Sequence, residues 1–249
     1  MIVKKEEEVE EVQLEEVEEE IIEKKEESKR ELVVPGEVIK TGDDFLPGDG
    51  TRREKDKILA SKFGLAEVNG RLVRIIPLSG IYMPRRGNVV IGRITDVTFN
   101  GWLIDINSPY NSFLPVSECP RYINKNDLTE HFNFGEILAC KVSSVKHRGI
   151  DLTIKGRGLG KLEEGILIHI NSNKIPRVIG KEGSMIRMIK EATNCDIIAG
   201  QNGSIWIKGS KLEDELLAKK AIIFITQKSF IEGLTDKVKA FLDKEVKKK

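Results

Sequence analysis

Two glycines, Gly180 and Gly183, lie between apolar stretches and carry the clearest chemistry in the sequence. Glycine has no Cβ, so the backbone can turn sharply at these positions and a partner can approach it closely. The amide groups that open a following helix, together with the helix dipole, favour an anion. The spacing therefore predicts a turn between two short amphipathic helices that holds phosphate groups. A helix corner without a ligand is the alternative.

Short regular elements are predicted on both sides of this glycine turn. They are a strand at 165–170, a helix entering the turn, a helix from Ser184, which can cap it, to about Thr193, strands at 195–199 and 204–208, and a helix at 212–228. The segment Gly200-Gln201-Asn202-Gly203 has the turn chemistry of a β-hairpin. This order, with Val-Ile-Gly-x-x-Gly-x-x-Ile at 178–186, resembles a KH domain of the eukaryotic-type (type I) topology over about residues 160–229.

The KH resemblance implies a binding site for a single strand of nucleic acid. In that family the glycine turn clamps about four nucleotides through their backbone. Carried over to this sequence, the implied site consists of the turn and its flanks: Arg177, Val178, Ile179, Gly180, Lys181, Glu182, Gly183, Ser184, Ile186 and Arg187.

A second candidate site belongs to a run of short strands that precedes the KH-like region. Strands are predicted at 89–97, 101–106, 112–115, 137–145 and 150–155. Five strands with a long excursion between the third and the fourth fit an OB-fold barrel. The motifs Phe-Asn-Gly-Trp at 99–102, Phe-Leu-Pro-Val-Ser at 113–117 and Phe-Gly-Glu at 134–136 resemble the S1 RNA-binding domain.

The S1 resemblance implies aromatic rings that stack on bases, a contact that every base can make. The implied aromatic pair is Phe99 and Trp102, and Phe113 is a third candidate. Core packing is the alternative for Trp102 and Phe113, because large aromatic side chains are often buried.

Two positions depart from the usual S1 pattern. Pro115 stands where the family usually has His, and Lys146 stands in the last turn where an Asp is frequent. His147 and Arg148 follow Lys146 and complete the implied RNA-binding set of this domain. We therefore expect the hydrogen-bonding part of the site to be altered and its positive charge to be strengthened.

Residues 32–84 are predicted to form a small all-β domain. Asn69-Gly70 between two apolar runs is a strong hairpin signal. The glycine-rich, basic segment 47–53 lacks the Gly-Lys-Ser/Thr ending of a phosphate-binding loop, so we interpret it as a protruding contact loop. The domain carries no nucleic-acid motif, and we assign it to contact with another protein.

Charge is distributed unevenly along the chain. Residues 1–31 contain 14 Glu and 6 Lys or Arg, a net charge of −8, whereas the other 218 residues contain 35 basic and 26 acidic residues, a net charge of +9. A basic body suits a polyanionic partner. The acidic tail is predicted to be disordered, because like charges three and four residues apart oppose a helix. Residues 229–249 are predicted to add a last helix that includes Phe230.

The sequence argues against catalysis, metals, cofactors and membrane insertion. His131, His147 and His169 have no metal-ligand spacing, and no nucleophile motif is present. The three cysteines are far apart, which indicates reduced thiols in an intracellular protein and leaves no zinc site. No apolar run reaches transmembrane length, and the acidic N-terminus does not resemble a signal peptide. We therefore expect a cytoplasmic protein.

The predicted fold class is mainly β with α+β: a small N-terminal β domain (32–84), an S1-type OB-fold barrel (85–156) and a KH domain with a C-terminal helix (157–249). This order resembles the RNA-binding cap subunits of the archaeal RNA exosome. The resemblance implies a non-catalytic subunit, three copies of which sit on a ring of RNase PH-like subunits. It also implies that the caps guide single-stranded RNA into the pore for degradation or tailing. The alternative is a transcription elongation or antitermination factor, a class with an S1 domain ahead of two KH domains.

Overall fold

The computed structural model describes residues 31–120, 123, 128–228 and 233–246. The predicted disorder of residues 1–30 and the predicted place of Phe230 in the last helix therefore lie outside the described residues. The chain divides into two compact units, one ending at Ser79 and the other beginning at Gly80. None of the helices in the described ranges is long and apolar enough to cross a membrane.

The described residues of the first unit form two small sheets built from seven strands. The strands are β1 (Glu31–Val33), β2 (Val38–Thr41), β3 (Leu46–Pro47), β4 (Thr51–Glu54), β5 (Lys57–Ala60), β6 (Gly64–Asn69) and β7 (Leu72–Pro77). One sheet has the order β1-β6-β7-β3 and the other has the order β2-β5-β4. Gly70 adopts φ 57° between β6 and β7, which confirms the Asn69-Gly70 hairpin.

The segment 47–53 does not protrude as the sequence suggested. The Gly48 N–H donates to Val73 O at 2.8 Å, and the Ile75 N–H donates to Asp49 O at 2.8 Å, so β7 holds the loop along its length. A Cβ at Gly48 would lie 3.0 Å from Val73 O. Glycine is therefore needed here for close packing against a strand, and the expectation of a free loop was wrong.

The second unit begins with a closed barrel. Its elements are β8 (Val89–Thr98), β9 (Gly101–Asp105), β10 (Ser112–Pro115), α1 (Leu128–His131), β11 (Ile137–Lys146), β12 (Gly149–Thr153) and β13 (Gly160–Lys161). The strand order β12-β10-β9-β8-β11 closes through the β12–β11 pair, and β13 adds to β11 outside the barrel. Because β10 and β12 run parallel and the other pairs of the barrel are antiparallel, the predicted five-stranded OB-fold is confirmed.

The KH region completes the second unit with a sheet covered by helices. Its elements are β14 (Ile166–His169), α2 (Ile175–Ile179), α3 (Ser184–Thr193), β15 (Asp196–Ala199), β16 (Ser204–Lys208), α4 (Leu212–Gln227) and α5 (Leu234–Val246). The sheet order is β14-β16-β15, and both pairs are antiparallel. This arrangement agrees with the predicted eukaryotic-type topology. Val178, Ile189, Ile205, Ile222 and Val238 are fully buried in the core between sheet and helices.

The β15–β16 hairpin joins the KH region to the barrel. The Gln201 N–H donates to Val89 O at 2.7 Å, and the Val89 N–H donates to Gln201 Oε1 at 3.1 Å. The Asn202 amide nitrogen donates to Ile91 O at 2.8 Å and to Ile106 O at 3.0 Å, while its oxygen accepts the Ile91 N–H. Asn202 is only 4% exposed. The tip of this hairpin therefore continues the hydrogen-bonding pattern of β8 and fixes the two domains as one unit.

Candidate nucleic-acid interface

The glycine turn lies between α2 and α3, as the motif predicts. Gly180 has φ 75° and ψ 175°, and Gly183 has φ 78° and ψ 13°. A Cβ at Gly180 would lie 2.7 Å from Met185 Cβ, whereas a Cβ at Gly183 would meet nothing closer than 3.9 Å. The first glycine therefore lets the turn pack against α3, and the second provides a left-handed backbone conformation at the edge of solvent.

The turn separates the motif residues into a buried and an exposed group. Val178 is fully buried, so its predicted contact with RNA was wrong and its role is to anchor α2 in the core. Ser184 does not cap α3, because it has helical φ and ψ and its side chain makes no cap hydrogen bond; the N-cap position is Gly183. Ile179, Gly180, Gly183 and Ile186 are half-buried; Arg177, Lys181, Glu182, Ser184 and Arg187 are exposed.

Three exposed cations surround the turn. Arg177 precedes it on α2, Lys181 lies within it, and Arg187 follows on α3. Within residues 31–120, 128–228 and 233–246, none of the three forms an ion pair. Their charges are therefore available to a polyanion, and the backbone of the turn lies between them.

The S1 aromatic residues are divided between surface and core. Phe99 is 81% exposed at the β8–β9 turn. Trp102 is fully buried: its Nε1–H donates to Phe132 O at 2.9 Å, and its ring meets the Phe132 ring edge-on at 5.2 Å. Alternation along β9 places Trp102 and Ile104 inside the barrel. A buried indole cannot stack on a base, so the expectation that Trp102 presents its ring to RNA was wrong.

Phe113 lies on the outer face of the barrel. It pairs with Leu103 on β9 and with Asp151 on β12, and it is half-buried. Its Cζ would lie 2.8 Å from a Cβ at Gly101, so the ring covers that glycine. Phe113 and Phe99 therefore remain as the candidate stacking residues of this domain.

The last turn of the barrel contains an acidic group that the sequence reasoning overlooked. Lys146 Nζ lies 2.5 Å from Asp151 Oδ2, and Ser144 Oγ donates to the same oxygen at 2.7 Å. The hydrogen bond from Lys146, followed by that from Ser144, lowers the pKa of Asp151 below its usual value. Lys146 is thus paired within its own hairpin, whereas the exposed Arg148 forms no ion pair with the residues that the structure describes. His147 is exposed beside it. The expected positive charge of this site therefore depends on Arg148 more than on Lys146.

Gln201 and Asn202 were also missed as functional residues. Their sequence, Gly-Gln-Asn-Gly, gives a hairpin signal and nothing that distinguishes an exposed turn from one inserted beside another domain. The glycines on either side are the one available hint. A Cβ at Gly200 would lie 2.9 Å from Ile91 N, and one at Gly203 would lie 2.3 Å from Ile170 O. Both glycines are thus required by close approach as well as by the turn.

No candidate metal centre is found in the part of the chain that the structure describes. No group of three or more His, Cys, Asp or Glu side chains there could hold a metal ion. The three cysteines are buried and form no disulfide bond with one another. Burial raises the pKa of Cys119 to about 11 and also raises that of Cys140, so both thiols stay protonated at neutral pH.

Three family models match this chain in the order of the domains. The model described as "Exosome complex exonuclease RRP4 N-terminal region" matches residues 32–69. The model described as "RRP4, S1 domain" matches residues 81–144, and the model described as "KH domain" matches residues 165–213.

Curated relatives match the chain over most of its length. A protein of Methanothermobacter thermautotrophicus named "Exosome complex component Rrp4" is 44% identical over 218 residues, which are 87% of this chain and 69% of the relative. A protein of Methanothermus fervidus with the same name is 43% identical over 88% of this chain and 97% of the relative. The similar protein of Thermococcus kodakarensis is 44% identical over 86% of this chain and 85% of its own length.

A solved structure also resembles this chain. It is a crystal structure of a protein assigned as an exosome complex RNA-binding protein, with a TM-score of 0.60 and 34% sequence identity. The match covers 67% of this chain and 97% of that one.

Proposed function

The chain belongs to the Rrp4 family of exosome components, and from this premise we propose how it serves that complex. It is an RNA-binding, non-catalytic subunit of the exosome. In our proposal, three copies cap a ring of RNase PH-like subunits and guide single-stranded RNA into its pore. The ring then degrades the RNA from its 3′ end or extends it. We place this activity in the cytoplasm.

The observation that supports the proposal is that two candidate nucleic-acid-binding surfaces lie in one compact unit. The KH turn has three cations without ion pairs among the described residues, and the barrel presents Phe99 and Phe113 on its outer face. The Asn202 and Gln201 hydrogen bonds fix one domain against the other. An RNA strand that stacks on the barrel can therefore also bind the KH glycine turn, whose position relative to the barrel is fixed. Such an arrangement can direct the RNA along one path.

Within this proposal the domains are 32–84 for ring binding, 85–156 for the S1 contact and 157–249 for the KH contact. Exposed apolar side chains in the first unit support its assignment to protein contact. Leu32 is 58% exposed, Val34 is 52% exposed and Leu46 is 57% exposed. Leu32 on β1 and Leu46 on β3 belong to the two edge strands of one sheet, and edge strands can pair with another chain. Deletion of residues 32–79, the part of this domain that lies in the first compact unit, should abolish assembly with the ring and leave RNA binding by the rest of the chain largely intact.

The transcription-factor alternative is not favoured. That class carries two KH domains in tandem, whereas the KH model matches once, at residues 165–213. The curated relatives are named as exosome components and match 84–88% of this chain.

The experiment that tests the proposed assembly is reconstitution. The chain is mixed with the RNase PH-like ring subunits of a relative, and the mass of the co-eluting complex is measured. We expect the ring mass plus three copies of this chain. Elution of the chain apart from the ring would contradict the capping role, and a different added mass would contradict the copy number.

A second assay tests the division of labour between cap and ring. Purified chain, incubated with RNA, phosphate and magnesium, should bind the RNA and leave its length unchanged. Shortened or extended RNA in the absence of ring subunits would contradict the non-catalytic assignment.

A further inference from the structure

A cleft of about 320 Å³ lies between the outer face of the barrel and the KH sheet. Its apolar wall includes Ile106 and Leu167, and its polar rim includes Arg93, Asp105 and His169. It belongs to neither the glycine turn nor the aromatic face described above. Its volume falls at the lower end of the range for small-molecule sites, in which a few polar groups on an apolar lining fix the orientation of the ligand.

The same hairpin that joins the domains also orders the cleft. Ser204 is 2% exposed, and its Oγ lies 3.1 Å from His169 Nδ1 and 3.4 Å from the Asn202 amide nitrogen. Asn202 in turn donates to Ile91 O and Ile106 O of the barrel. His169 on the KH side is therefore linked through Ser204 and Asn202 to the backbone of the S1 side.

Opposite charges lie side by side on the barrel side of the rim. Arg93 and Asp105 are directly paired residues of β8 and β9. Yet no ion pair joins them, and in the described part of the chain the Arg93 guanidinium has no hydrogen-bond partner. Asp105 uses Oδ1 to accept the Asn107 N–H at 2.8 Å, and Asn107 also lines the cleft. A guanidinium and a carboxylate oxygen thus remain for a ligand that both accepts and donates hydrogen bonds.

The cleft continues the candidate RNA face of the barrel. Leu103, which pairs with Phe113, and Asp105 point outward from the same strand, two residues apart. Two residues of a strand span about 7 Å. A single strand that stacks on Phe113 therefore has the cleft within reach of a neighbouring base that is splayed out, the form in which RNA bases are usually recognised by proteins.

We propose that this cleft holds one base of the bound RNA and that Asp105 selects bases carrying an exocyclic amino group. The proposal rests on the RNA-binding function stated above. A carboxylate only accepts hydrogen bonds, so it favours the amino group of cytosine over the carbonyl that uracil has at the same position. Arg93 supplies the complementary donor to the acceptor atoms of the base. The apolar wall takes the ring.

The test compares oligo(C) with oligo(U) of equal length, since these bases differ at the group that Asp105 would contact. The full chain should bind oligo(C) about tenfold more tightly, the effect of one hydrogen bond to a charged group. In Asp105→Asn the preference should be lost or reversed, because the amide oxygen stays with the Asn107 N–H and the amide nitrogen, which then faces the base, donates to the uracil carbonyl but cannot accept from the cytosine amino group. The Asn side chain keeps an oxygen for the Asn107 N–H, so the turn should be retained.

Two variants serve as controls. Glu130→Gln removes one exposed negative charge elsewhere on the barrel and should leave the tenfold ratio unchanged. Asp105→Glu keeps the carboxylate and should keep part of the preference. This variant also tests the proposal if circular dichroism shows that Asp105→Asn does not fold. Amide resonances of Asp105 and His169 should shift on addition of oligo(C) and shift less with oligo(U).

The outcomes separate this proposal from the proposed function. Equal binding of oligo(C) and oligo(U) by the unmodified chain, or equal loss of preference in Asp105→Asn and Glu130→Gln, would overturn the role of Asp105. Resonance shifts confined to the barrel face around Phe113 would overturn the location in the cleft. Failure to bind either oligonucleotide would instead contradict the RNA-binding function itself.

Discussion

The KH turn matches its family motif throughout, whereas the S1 face departs from its pattern at Pro115 and Lys146, and the structure agrees with the first prediction more closely than with the second. At the turn, the glycines and cations lie where the motif puts them, and the corrections concern only Val178 and Ser184. On the barrel, one aromatic residue of the expected pair is in the core and the expected free lysine is paired with Asp151.

The difference lies in which atoms form each site. The turn is a backbone feature, and two glycines at a fixed spacing determine its backbone conformation directly. The S1 face consists of side chains, and their direction depends on strand register and on bulges. The register shift between Ile94 and Asp96 on β8 is one such irregularity. A motif therefore predicts a backbone site better than it predicts which ring points outward.

The largest effect is expected from Trp102→Ala, which tests whether Trp102 belongs to the core or to the RNA-binding face. Removal of a fully buried indole should destabilise the protein by about 3–5 kcal/mol, measured by denaturant unfolding of the full chain. The matched variant Phe99→Ala should change stability by less than about 0.5 kcal/mol. It should instead weaken RNA binding by about 1–3 kcal/mol through lost stacking. The reverse pattern, a stable Trp102→Ala with weakened RNA binding, would restore the aromatic pair of the sequence prediction.

The two glycines of the turn provide the next test, because they differ in their surroundings and share a positive φ. Gly180→Ala places a Cβ 2.7 Å from Met185 Cβ and should cost at least about 2 kcal/mol of unfolding free energy. Gly183→Ala enters open space and should cost only about 1 kcal/mol, the penalty for a left-handed alanine. Equal losses would mean that the turn relaxes easily and that its backbone geometry is less tightly fixed than the contacts indicate.

Much of the fold was predictable because local patterns agreed with the tertiary structure. The strand at Ser112–Pro115, the helix at Ser184–Thr193 and the strand at Ser204–Lys208 have the bounds that the sequence indicated. Alternating apolar residues and glycine turns determine such elements locally. The β12 strand, by contrast, begins at Gly149 and ends at Thr153, displaced by one or two residues from its prediction.

What the sequence could not provide are contacts between distant segments. The pairing of Lys146 with Asp151 depends on the hairpin register, and the Asn202 bonds to Ile91 and Ile106 cross about a hundred positions of chain. The cleft beside them exists only because two domains pack together. Such features arise from tertiary geometry, for which a single sequence contains no periodic signal.

A third test sharpens the role of the turn. Replacing Lys181 and Glu182 together by Asp puts negative charge where phosphates would pass and keeps both glycines. RNA affinity of the full chain should fall by at least about tenfold, the loss of one hydrogen bond to a charged group. Stability should stay within about 0.5 kcal/mol, since both side chains are exposed. The full chain is the proper subject, because an isolated KH region would leave Asn202 without its barrel partners.

The salt dependence of binding is the control for that double variant. Each phosphate that the protein neutralises on a single strand contributes a slope of about −0.7 in log affinity against log salt. The double variant should show a slope shallower by about that amount. An unchanged slope and an unchanged affinity would show that the turn is only a helix corner.

The smallest effect is expected for Lys146, whose side chain is paired with Asp151. Lys146→Ala should cost less than about 1 kcal/mol at neutral pH, because the ion pair is largely exposed. The Asp151 pKa is lowered in the folded protein, so the pair's contribution is present above the unfolded pKa of about 3.9 and is lost as pH falls through the folded value. Unfolding curves of the two proteins should therefore differ at pH 7 and converge below about pH 4.

Arg148→Ala, which removes an exposed cation, should weaken RNA binding more than Lys146→Ala does. If the two substitutions weakened RNA binding equally, the result would indicate that Lys146 leaves Asp151 and pairs with an RNA phosphate when RNA binds. Lys146 would then contribute to RNA binding despite its ion pair in the free protein.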